Sequence, residues 1–106
     1  SIIYTFNQLT LINQLNYFYL ENNQAKQSEN SIEKAIVIGE KLQQQAPMNK
    51  DYIRELAFSY SMAASLAEQQ EDFNRSLSFY NKGLNISQMM YQSDENNFSN
   101  ANDFAT

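Results

Sequence analysis

The chain has 106 residues, of which 42% are apolar and 18% charged, with a formal net charge of −5, two glycines, one proline and neither cysteine nor histidine. Such a length fits one small domain, and so few turn residues favour long helices over a strand-rich fold. The missing His and Cys remove the commonest general base, the thiol nucleophile and most zinc ligands, while 12 acidic against 7 basic residues argue against a phosphate-backbone partner.

In chain order, the apolar spacing predicts helices near residues 2–21, 28–46, 50–69 and 72–92, with a fifth starting near 98. Pro47 ends the helix through "KLQQQ", and Asn49 is placed to cap the next by accepting from an early backbone N–H. In the third helix Ile53, Leu56, Ala57, Tyr60, Ala63, Ala64 and Ala67 fall at i, i+3, i+4 spacing and form one apolar face. In the fourth, Phe73, Leu77, Tyr80 and Leu84 are expected to do the same, with Ser76, Gly83 and Ser87 between them. "SDENN" (Ser93 to Asn97) reads as the connection after the fourth helix.

The chain also repeats itself. Sliding it until Glu33 falls on Asn81 lays "EKAIVIGEKL" on "NKGLNISQMM", pairing Lys34 with Lys82, Ile36 with Leu84 and Ile38 with Ile86. The same shift sets "NKDYIRELA" on "NFSNANDFA" and Ser28 on Ser76. The chain therefore reads as a single all-α domain over 1–106. Its first repeat unit covers about 2–46, its second about 50–92, and a further helix begins at about 98–106. Its opening on Ser1 and the new helix pattern at its end suggest a piece of a larger protein. Gly83, opposite Ala35 in this register, costs about 1 kcal/mol in a helix interior. A close helix crossing, where a larger side chain would hold the neighbour away, is the expected reason, with Gly39 a second case.

The remaining chemistry is sparse. Asp51 and Glu55 share a helix face with Arg54 between them in sequence, which reads as solvated charge near a helix N-terminus. Glu68, Glu71 and Asp72 read as a hairpin turn, and "SDENN" lacks the ligand alternation and glycine of a calcium loop. No Gly-x-Ser-x-Gly elbow or phosphate-cradling loop occurs. Asn-x-Ser triplets at Asn74, Asn85 and Asn97 are expected by chance in a chain this rich in Asn and Ser. No enzyme activity, cofactor, metal, nucleic acid or membrane insertion is expected, and a cysteine-free chain leaves the compartment open, with the cytoplasm favoured.

These residues resemble tetratricopeptide repeats. Leu15 and Tyr19 stand at the leucine and tyrosine positions of a first helix, and Ser28, Ile32 and Ala35 at the small, bulky and small positions of a second. Tyr60, Ala63, Ala64, Ala67, Phe73, Ser76, Tyr80 and Gly83 follow the same scheme in the second unit. Asn16 replaces the usual glycine and Ala67 the tyrosine, and the period is longer than usual by close to two turns for each helix. The segment "RELAFSY…YNKGLNIS" is similar to a long-helix variant found in multi-domain bacterial proteins beside kinase, DNA-binding or other signalling modules.

The resemblance implies antiparallel helical hairpins stacked as a tetratricopeptide-like right-handed α-solenoid fragment. It also implies a concave groove lined by Thr10, Asn13, Gln14 and Tyr17 from the first unit and by Phe58, Ser61, Met62 and Ser65 from the second. Ser61 and Ser65 stand where chaperone-binding members clamp a terminal carboxylate, so such a tail is not the expected ligand. The leading expectation is a protein-protein interaction scaffold within a larger signalling or regulatory protein, binding a protein or peptide partner. The alternatives are an oligomerisation module assembling through apolar end faces as a homo-oligomer, and a small-ligand sensory domain.

Overall fold

The computed structural model describes residues 1–105, with side chains described through residue 92. Four helices follow one another: α1 (Ile2–Glu21), α2 (Ala25–Gln45), α3 (Lys50–Gln69) and α4 (Phe73–Ala105). Short connections force successive helices to lie antiparallel, and α1 packs on α2, α2 on α3, and α3 on α4. The chain is all-α, as the sequence implies.

The helix bounds repeat in the register read from the sequence. The shift that carries Ile2, the start of α1, onto Lys50, the start of α3, also carries Glu21 onto Gln69 and Ala25 onto Phe73. The connections repeat too. Asn23 and Glu71, the two non-glycine residues with positive φ among those described, have φ of 57° and 60°. After α1 the Gln24 N–H donates to the Tyr19 carbonyl (2.8 Å) and the Asn23 N–H to Leu20 (3.4 Å). After α3 the Asp72 N–H donates to Ala67 and the Glu71 N–H to Glu68, both at 2.9 Å. Both are Schellman closures, in which one left-handed residue lets the chain satisfy the last carbonyls of a helix.

α2 begins at Ala25, earlier than its expected start at 28, with no side-chain cap. The expected connection at 93–97 and fifth helix from 98 are replaced by an unbroken α4. The cause lies in the first unit's connection. α2 stops before Pro47, with Ala46 at φ −141°, because the proline ring disfavours helix at the residue before it. In the repeat register Pro47 falls on Glu95, a good helix former. Without a proline or glycine the helix runs on. Asn49 caps α3 as expected, accepting from the Tyr52 N–H at 3.1 Å.

Three apolar clusters hold the helices. Leu9, Ala35, Leu42 and Tyr52 pack together between α1, α2 and α3. Ile32 meets Met62, Ala63 and Leu66, and Ile53, Leu56, Tyr60 and Ile86 join α3 to α4. Burying each large apolar side chain contributes about 1.5–3 kcal/mol. The α3 face read from the sequence is buried, with Ala57 half-buried.

On α4 the expected stripe points the other way. Phe73, Leu77, Tyr80 and Leu84 are exposed, as is Leu15 on α1, and α4 instead packs through Ser76, Phe79, Gly83 and Ile86. α4 carries two apolar stripes, and periodicity does not say which one a neighbour covers. Gly83 does face α3, but a Cβ there would lie 3.6 Å from the Tyr60 Cβ, an ordinary contact. Gly39 is the tight crossing, where a Cβ would come within 2.9 Å of the Leu56 Cδ1.

Candidate functional site

α1 also touches α3, whereas among the described residues α2 and α4 have no Cα atoms within 8 Å of each other. α1 and α3 thus lie against each other while α2 and α4 stay apart, and a groove runs between α1 and α3. Its walls bound a cleft of about 240 Å³ lined by Thr10, Asn13, Gln14, Arg54, Glu55 and Phe58.

The buried floor is polar. Asn13 donates from Nδ2 to the Glu55 carbonyl (3.1 Å) and to the Glu55 carboxylate (2.8 Å), and its Oδ1 accepts from the Ser59 hydroxyl at 2.8 Å. Ser59 also lies 3.1 Å from the Glu55 carbonyl. Asn13 is buried, so both ends of its amide are committed to joining α1 to α3. Buried polar groups satisfied in this way fix register as well as distance.

Above that floor, Tyr17 (52% exposed) and Phe58 (39% exposed) bring their rings to 6.1 Å between centroids at 34°. Such tilted pairs are favourable beyond their area burial. Gln14 is exposed beside them. Thr10 is half-buried and donates its hydroxyl to the Phe6 carbonyl at 3.0 Å, which leaves its oxygen free to accept. Ser61 and Ser65 continue the α3 face from Phe58 at helical spacing, exposed and half-buried respectively.

Two of the eight expected groove residues are therefore core residues. Asn13 is locked in its network, and Met62 is buried against Ile32, Ala63 and Leu66. Arg54 and Glu55, absent from the sequence-based set, line the cleft. Arg54 stands one helical turn before Phe58, so the spacing that placed Phe58 in the groove also reaches it. Asp51 pairs with Arg54 at 3.3 Å on the exposed surface, where such pairs contribute little. Glu55 is not part of a solvated face, because Asn13 engages its carboxylate.

Elsewhere, Tyr60 has its phenol pushed up to about 12, first by burial and then by the charge and hydrogen bond of Glu40. Tyr80 is raised by desolvation and then by Glu68. Among the described residues no three His, Cys, Asp or Glu side chains cluster to hold a metal ion, and no helix is long and apolar enough to cross a membrane. Comparison with protein-family models, curated proteins and solved structures gives no match.

Proposed function

We propose that this chain is a tetratricopeptide-like helical-repeat scaffold that binds a protein segment along the α1–α3 groove, as one part of a larger signalling or regulatory protein. Support for the stacked-hairpin architecture comes from the recurrence of helix bounds and Schellman closures in one register, and from first helices that touch while second helices stay apart.

The observation that carries the binding reading is the exposed Tyr17–Phe58 pair. Aromatic side chains on rigid helices are favoured anchors, since they present large contact area at little entropic cost. Gln14, Ser61 and the Thr10 oxygen supply neutral hydrogen-bonding groups around them. The Asn13–Ser59 floor keeps the groove formed without ligand, so a partner would dock with little backbone movement. The ligand chemistry that fits is an uncharged segment with an apolar anchor and amide groups.

The test is affinity capture from lysate of the source cell, followed by titration of the purified partner against wild type and a Tyr17→Ala, Phe58→Ala double variant. Both rings are largely outside the core, so the variant should keep its fold by circular dichroism and lose at least tenfold in affinity. A folded variant that captures the same proteins with the same affinity would exclude the groove as the binding surface.

A further inference from the structure

α1 and α4 each present an apolar face that no described residue covers. On α1 it consists of Tyr4, Leu11, Leu15 and Phe18. No charged side chain occurs before Glu21, so α1 carries apolar residues on its outer side as well as toward its neighbours, uninterrupted by charge. On α4 the face is Phe73, Leu77, Tyr80 and Leu84.

The repeat register identifies what these faces fit. Inside the molecule Met62, Ala63 and Leu66 of α3 pack against Leu20, Ala25 and Ile32. One period after that socket stand Glu68, Phe73 and Tyr80, and they line an open cleft with Ser76 and Leu77. One period before the inserted side chains stand Gln14, Leu15 and Phe18, all exposed. One face of the molecule therefore carries the empty socket, and the opposite face carries the unburied side chains, of an interface that the chain already builds once within itself.

We propose that two copies of this chain associate head to tail, with Leu15 and Phe18 of one copy seated in the Phe73–Leu77–Tyr80 cleft of the next. The contact continues the α2–α3 packing from one molecule to another, and the cleft that receives it is lined by no charged residue except Glu68. Phe73, Leu15 and Phe18 are larger than Ala25, Ala63 and Leu66, which stand at the matching positions of the internal interface, so the two helices sit farther apart than α2 and α3 do. Because the two surfaces differ, the contact is heterologous: each copy keeps one face free, and growth continues until a ring closes or a filament forms. The α4 cleft lies apart from the α1–α3 groove, whereas on α1 the two surfaces meet at Gln14; the inference does not depend on the function proposed for the groove.

The experiment is sedimentation velocity of the whole chain from micromolar to sub-millimolar concentration, with Phe18→Glu, Leu77→Glu and their equimolar mixture. Phe18 is 56% and Leu77 61% exposed, so both variants should fold, which circular dichroism checks. Wild type is expected to rise in mass beyond a pair, and each variant alone to stay a monomer. The mixture is expected to form a pair and stop, because only one intact socket and one intact knob remain. A wild type that stays monomeric at every concentration overturns the proposal and leaves these faces to a different partner. Association that persists in either single variant, or a mixture that stays monomeric, also overturns it.

Discussion

The Asn13 side chain of α1 and the Ser59 hydroxyl of α3 share a buried 2.8 Å hydrogen bond across the floor of the groove. Asn16, one turn along α1, is as deeply buried and accepts from Ser31, yet its Nδ2 meets no acceptor among the described residues. The two asparagines therefore contribute differently. Asn13→Ala should cost about 2 kcal/mol, because the Glu55 carboxylate loses its donor and Ser59 one acceptor. Asn16→Ala removes an unsatisfied donor as well as contacts and should stay within about 1 kcal/mol of wild type. Urea denaturation of both variants gives the comparison; equal losses would show that packing volume, not hydrogen bonding, sets the value of these positions.

The two glycines should respond with opposite sign. Gly83→Ala places a methyl group 3.6 Å from the Tyr60 Cβ, and the helix-propensity gain of up to about 1 kcal/mol should raise stability. Gly39→Ala drives a methyl group to 2.9 Å from the Cδ1 of Leu56, a side chain fully buried and unable to move aside freely. Overpacking of this kind costs about 1–3 kcal/mol, more than the propensity gain. Thermal melts of the pair should shift in opposite directions.

Glu71 adopts φ 60° at the α3–α4 turn, where its counterpart in the first unit is Asn23 at φ 57°. Asparagine tolerates that region better than glutamate does. Glu71→Gly should therefore stabilise by about 0.5–1 kcal/mol despite the greater freedom of glycine in the unfolded chain. Asn23→Ala should destabilise by a similar amount. Melting temperatures displaced the other way would show that the turn backbone is not strained.

Alkaline pH should unfold the chain partly through Tyr60. Its folded-state value of about 12 lies above the ordinary phenol value of 10.0, so between these limits the folded protein binds more protons than the unfolded one. Stability from the neutral phenol is complete below about pH 10 and is lost as pH rises toward 12. Tyr60→Phe should flatten the decline over that window relative to wild type, measured by denaturant midpoints at successive pH values. Parallel curves would assign the decline to other groups.

Four helices, the Asn49 cap, the Pro47 break and the repeat period were legible in the sequence, because each follows from local chemistry: apolar spacing, a capping side chain, a ring that disfavours helix before it. The exposure of Tyr17 and Phe58 on neighbouring helices fits the face that the resemblance assigned to them. The repeat register did not anticipate the burial of Met62 and Asn13, since a position on a helix face does not reveal how far neighbouring helices close over it. It also carried the first unit's break over to residues 93–97, where Glu95 replaces the proline that causes it.

Tertiary structure alone decided which of the two apolar stripes on α4 is buried. Phe73, Leu77, Tyr80 and Leu84 satisfy helical periodicity as well as Phe79, Gly83 and Ile86 do, but α3 occupies only one side of the helix. The joining of Asn13 to Glu55 and Ser59, far apart along the chain, was likewise beyond the sequence. Sequence periodicity reports which surfaces of a helix shun water; only the packed arrangement determines which of them meets a neighbour and which is left for another molecule to cover.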